Sequence, residues 1–184
     1  MYITALTSRA SRQYRLKAGF TLVELLTVIA VLAVLVAIAA PNFTPMIERW
    51  RVRQASELLQ SSVYFARSEA IKRGGAVITS LTGGACSGWN CGWQVCADTN
   101  TDGTCDTGVP ILQRYDAPNR LTISRVAGTG EIRVDSRGFF NSAASFSVVP
   151  TGKTLADWAA LGVCVNASGI VRVVTPQSGG ISCS

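Results

Sequence analysis

An apolar run from Phe20 to Ala40, with Glu24 as its only charge, limits this chain more than any other feature. As a helix those 21 residues reach about 31 Å, enough for one bilayer crossing. A carboxylate inside such a run costs roughly 2.5–3.5 kcal/mol on insertion scales, so it is expected to have a partner and a task. Residues 1–19 hold Arg9, Arg12, Arg15 and Lys17 and no acid. Basic flanks stay on the cytoplasmic side, which sends the part beyond residue 40 across the membrane. An ordinary secretory signal would be cut after the apolar run; Ala39-Ala40 imitates such a site, but Pro41 follows directly. A plain single-pass anchor with an incidental Glu24 is the blander alternative.

The stretch Lys17-Ala18-Gly19-Phe20-Thr21-Leu22-Val23-Glu24-Leu25-Leu26 resembles the class III signal of type IV pilins and type II secretion pseudopilins. That pattern is a basic leader, then Gly, Phe, Thr-Leu-[Val/Ile]-Glu and an apolar helix, matched here without gaps. The resemblance implies that a prepilin peptidase cuts between Gly19 and Phe20 and methylates the new N-terminus. It implies that Glu24 pairs with the α-amino group of a neighbouring subunit's Phe20 during assembly. The implied partners are other pilin or pseudopilin subunits, the peptidase/methylase and the inner-membrane assembly machinery. The implied place is the inner membrane, single-pass, with a cytoplasmic N-terminus and a periplasmic head, until the subunit enters a pilus or pseudopilus.

Residues 1–19 are therefore read as a cleaved leader, 20–40 as a transmembrane and assembly helix, 41–73 as an amphipathic helix and 74–184 as a periplasmic β-rich head. Pro41 and Pro45 are expected to kink or loosen the long helix, since each removes a backbone donor. Ala55, Leu58, Leu59, Val63, Ala66 and Ala70 recur at three- and four-residue steps and form one apolar face. Gly74-Gly75 ends the helix, with Lys72 and Arg73 in the last turn where positive charge suits the helix dipole. From residue 76 on, strand-like runs recur between turn-forming residues, at 76–81, 92–97, 111–115, 121–125, 131–135, 145–149, 162–165 and 170–175. The fold class is α+β: a long N-terminal helix whose second half covers an antiparallel sheet.

Three local segments narrow the resemblance. Gly92-Trp93-Gln94-Val95-Cys96, with Asp98 to Gly103 and then Ile111-Leu112, is similar to the "GW.VF.D.N.DG…VL" segment of GspH/FimT-like minor pilins. Asp135-Ser136-Arg137-Gly138-Phe139 resembles their "D.RG" segment, and Cys164 to Arg172 their "C…GR.R" segment. This implies a minor, tip-proximal subunit. In FimT-like proteins the last segment is implicated in DNA binding. Here Gly169 and Arg172 match but Ile170 replaces the first arginine, and losing one cation weakens a phosphate-binding patch. Arg172 is thus the candidate DNA contact, and Arg114, Arg120, Arg125, Arg133, Arg137 and Lys153 would have to share its face. A DNA-uptake receptor and a non-polymerising periplasmic domain remain as alternative functions.

The remaining chemistry is sparse. The chain has no histidine, which removes the commonest general base and metal ligand. No catalytic triad or phosphate loop is visible, and the chain is read as the substrate of a peptidase rather than an enzyme. Without the leader's four cations, 13 of the 17 basic residues face 11 acidic ones, so the basic pI does not announce nucleic-acid binding. Asp98-x-Asn100-x-Asp102-Gly103 copies the first half of a Ca²⁺ loop, but position twelve is Val109 rather than glutamate. The competing reading is a turn capped by Asp and Asn side chains. Cys86, Cys91, Cys96, Cys105, Cys164 and Cys183 lack zinc-site spacing and suggest disulfides in an oxidising compartment. Of fifteen connectivities, short closures favour Cys86–Cys91, Cys96–Cys105 and Cys164–Cys183.

Overall fold

The computed structural model describes residues 19–39, 43–81, 88–116, 118–128, 130–177 and 180–183. Residues 1–18 of the leader, Pro41 and Cys86 lie outside the described residues. The chain forms two compact units, Met1–Pro41 and Asn42–Ser184.

The first unit is helix α1, Leu22–Ala39. Its side chains from Leu22 to Ile38 are exposed on every side. Eighteen residues reach about 27 Å, slightly under the hydrocarbon thickness. Among the described residues no single helix is long and apolar enough to cross a membrane; α1 meets that standard only when counted with the helix that follows.

The second unit begins with helix α2, Phe43–Arg73. Pro45 is its third residue, where an amide would have no acceptor within the helix, so this proline starts α2 instead of kinking it. Val52, Ala55, Ser56, Leu59, Ser62, Val63, Ala66, Glu69 and Ala70 are buried. Leu58, expected on that face, is 38% exposed, and Ser62 takes a place inside. Gly74 ends the helix in a left-handed conformation, φ 100°, with its amide on the Ala70 carbonyl at 2.8 Å.

Eight strands follow: β1 Gly75–Ser80, β2 Gly92–Ala97, β3 Gln113–Asp116, β4 Leu121–Ala127, β5 Ile132–Asp135, β6 Ala144–Pro150, β7 Leu161–Val165 and β8 Val171–Val174. They form two antiparallel sheets of four strands, ordered β3-β2-β1-β5 and β4-β6-β7-β8. The single covered sheet anticipated from the strand pattern is therefore two. One core joins them: Ile78, Trp93, Val95, Ile132 and Val134 from the first sheet, Ile123, Phe146, Val148, Val163 and Val171 from the second, and the buried face of α2.

Strand β6 is buried along its whole length. Period-two alternation turns Phe146 and Val148 into the core and Ser145, Ser147 and Val149 to the opposite face. The C-terminal segment lies against that opposite face. Cys183 is bonded to Cys164 on β7, and Ile181 packs where Gly162 has no side chain. A Cβ at residue 162 would stand 2.7 Å from Ile181 Cγ2, which explains a glycine in mid-strand.

Candidate functional site

The N-terminal end of α1 is built by its own sequence. The Thr21 hydroxyl oxygen accepts the amide of Glu24 at 3.2 Å, so Thr21 caps the helix. Glu24 stands in the first turn, where the helix dipole favours negative charge. Thr21-x-x-Glu24 has the spacing of a capping box, a signal in plain view that the sequence reading passed over. Gly19 and Phe20 precede the cap and are exposed. The expected cleavage bond thus lies just outside regular structure, and Glu24 is four residues beyond it. Among the described residues Glu24 has no cationic partner.

The three segments singled out in the head are all structural joints. Trp93 is buried against α2, and its indole N–H donates to the Ser62 hydroxyl at 2.7 Å. Ser62 in turn donates to the Leu58 carbonyl at 2.7 Å, so both polar groups are satisfied inside the core. Tyr115 stacks on Trp93, and Trp89 meets Phe146 edge-on.

The other two segments converge on Arg67 of α2. After β5, Asp135 accepts the amides of Arg137 and Phe139, both at 2.9 Å, and its carboxyl is held below the usual range chiefly by the Phe139 amide. This turn brings Gly138 against the Arg67 side chain. Between β7 and β8, Asn166 closes a turn by accepting the Ile170 amide at 2.8 Å. Arg67 Nη1 donates to the Ser168 carbonyl of that turn at 3.1 Å. A helix side chain thus ties one turn from each sheet to α2.

The loop resembling a Ca²⁺ site uses its oxygens on itself. Asp98 accepts the amides of Asp102 and Gly103 at 3.0 and 3.1 Å, and Asn100 accepts the Asp102 amide. Asp102 accepts the Thr104 hydroxyl and amide, both at 2.7 Å, and the hydroxyl is the first cause of its lowered pKa. Asp106 accepts from Thr99. Among the described residues no group of three or more Cys, Asp or Glu is arranged to hold a metal ion. Backbone amides of the same loop bond to these carboxylates, the arrangement that turn capping expects. Cys96 is bonded to Cys105 at the base of this loop, and Cys91 is also disulfide-bonded.

Most of the cations proposed as a DNA surface are engaged within the head. Arg125 donates to the Ala127 and Gly130 carbonyls, and burial pushes its pKa down. Arg133 donates to the Thr101 carbonyl at 2.8 Å. Arg114, Arg137 and Lys153 pair with Asp116, Asp135 and Asp157. Arg172 lies on β8 opposite Cys164, exposed, with Ile170 exposed nearby. Both line a shallow depression beside Cys164 and Cys183.

Two family models match the chain. Residues 14–40 match the prokaryotic N-terminal methylation motif. No curated protein sequence matches the chain. Among solved structures, the type IV minor pilin FimU of Pseudomonas aeruginosa is similar at 21% identity and a TM-score of 0.56, over 76% of this chain and 99% of that one. The minor pseudopilin EpsH from the type 2 secretion system of Vibrio cholerae is similar at 11% identity and a TM-score of 0.50, over 70% of this chain and 99% of that one. At such identities the likeness is one of fold: a long helix packed on antiparallel sheets. Membership rests on sequence, because residues 55–169, from the buried face of α2 to the turn before β8, match the type II transport protein GspH family. The chain belongs to that family, a family of structural pseudopilins rather than enzymes.

Proposed function

We propose that this chain is a minor subunit matured by a prepilin peptidase. It is held in the inner membrane by α1 with its head in the periplasm, and then drawn into a type IV pilus or type II secretion pseudopilus near the tip. The observation that carries this reading is α1 itself: apolar and exposed all round, with Glu24 in its first turn four residues after Phe20. Cutting after Gly19 would create a cationic amine on Phe20 within reach of a neighbouring Glu24. In lipid, such a pair need only outdo the cost of leaving Glu24 alone. The tip-proximal place rests on the resemblance to minor pilins. We prefer this structural role to DNA uptake because Arg114, Arg125, Arg133, Arg137 and Lys153 are each engaged with acceptors of the head itself.

Maturation is the direct test. Intact-mass analysis of the protein extracted from membranes should show the loss of residues 1–19 and the gain of one methyl group on Phe20. A membrane-resident form that keeps its leader would end this reading.

A further inference from the structure

The first two turns of α2 carry an apolar stripe that its own head does not cover. Phe43, Met46, Ile47 and Trp50 follow the spacing i, i+3, i+4, i+7 and are all exposed. At about 100° per residue the stripe is centred roughly opposite the face that buries Val52, Ala55, Leu59 and Val63. The sheets pack on that second face and cannot reach the first. Farther along, the same side of α2 turns polar with Gln54, Glu57 and Ser61, so the stripe is confined to the start of the helix. Arg51 flanks it on one side and Arg53 on the other. Arg49 lies over the Trp158 ring at 5.3 Å and is already engaged.

Two facts indicate what covers the stripe. Phe43 follows Ala39 by four residues, a reach of at most about 14 Å, so a membrane-held α1 keeps the stripe at the bilayer surface. Its composition also suits that surface. Tryptophan favours the headgroup boundary, and arginines beside an apolar stripe extend their long stems toward lipid phosphates.

We propose that residues 43–53 are a membrane-interface anchor. The stripe lies at the headgroup–acyl boundary, with Trp50 and Phe43 inserted and Arg51 and Arg53 on anionic headgroups. It holds the start of α2 on the membrane until the subunit is withdrawn into a fibre. The inference rests on the reading of α1 as a membrane anchor.

The test uses the full chain reconstituted into vesicles of phosphatidylcholine with phosphatidylglycerol, some lipids brominated near the headgroup end of the acyl chain. Flotation reports α1, and tryptophan quenching reports the stripe. Quenching of about one part in four of the emission is expected, since Trp50 is one of four tryptophans. Trp50→Phe should abolish it without changing flotation. The double variant Arg51→Gln, Arg53→Gln should remove the extra quenching that phosphatidylglycerol gives over phosphatidylcholine alone. Flotation with no Trp50-dependent quenching would overturn the proposal and leave the anchor reading standing. Quenching that disappears as the protein-to-lipid ratio rises would show a second copy covering the stripe, and would also overturn it. Failure to float would remove the anchor reading and this inference together.

Discussion

Helices α1 and α2 pose the same physical problem and solve it differently. Along α1 every side is apolar and exposed. Along α2 from Val52 onward one face is buried by the chain's own sheets, while Leu58, Tyr64 and Ile71 stay exposed. Each helix also carries one carboxylate in an improbable place. Glu69 is nearly buried, yet it accepts from Lys72 at 2.9 Å and from Arg73 at 2.7 Å on its own helix. Glu24 has no cation among the described residues. In α2 beyond its first two turns, the buried apolar face and the Glu69 charge are both satisfied within the chain. In α1 both are left open, which is what a helix needs if its partners are lipid first and other subunits afterwards.

The largest expected effect breaks this contrast at Glu24. Glu24→Ala removes a charge from an apolar helix, so membrane insertion should be unimpaired or improved. Incorporation into sheared fibres should fall to a small fraction of wild type. A Glu24→Ala protein that enters fibres normally would show that α1 needs no partner for its charge.

The next effect separates the interiors of the two units. Trp93→Ala should destabilise the head by about 3–5 kcal/mol, because it empties a fully buried site and leaves Ser62 without its donor. Leu32→Ala, on an exposed turn of α1, should leave the head's unfolding midpoint in detergent unchanged. A shared loss of stability would mean that α1 is part of the head's core.

A smaller effect concerns the C-terminal segment. The bond from Cys164 to Cys183 closes a loop of 19 residues across the outer face of the second sheet. Replacing both cysteines with serine should cost roughly 2–4 kcal/mol of head stability by chemical denaturation, with no change in membrane insertion. An unchanged denaturation midpoint would show that Ile181 over Gly162 holds the segment unaided.

What could be read in the sequence follows the same divide. The cleavage motif, the apolar run and the eight strand-forming stretches are local patterns, and local patterns are visible one window at a time. Their partition into two sheets is not, because pairings such as β1 with β5 and β4 with β6 join segments far apart. Ser56 and Ser62 lie inside although the apolar pattern does not include them. Ser56 bonds back to the Val52 carbonyl, and Ser62 answers an indole 31 residues away. Gly162 gave no warning of Ile181, since close packing between distant residues leaves no periodic trace. The Asp98–Gly103 run showed its oxygen-bearing side chains but not which amides of their own loop they turn onto.

The smallest effect returns to the two carboxylates. The carboxyl of Glu69 is held below its ordinary value first by the hydrogen bond from Arg73 and next by that from Lys72, against a burial cost that acts in the other direction. A carboxylate with a lowered folded-state pKa stabilises the fold above its unfolded value. That contribution is lost as the pH falls through the folded-state value. Wild type should therefore exceed Glu69→Gln in stability at neutral pH by roughly 0.2–0.5 kcal/mol per helical ion pair. The lead should shrink below about pH 4.3 and vanish once the lowered folded-state pKa is passed. Asp102 and Asp135 shift in the same direction, so total acid loss is no guide, and the difference between wild type and variant must be followed. Glu24→Gln, measured in detergent at neutral pH, should leave the head's unfolding midpoint unchanged. A lead for Glu69 that persists unchanged to pH 2 would show that packing of the side chain, and not its charge, is what α2 gains there.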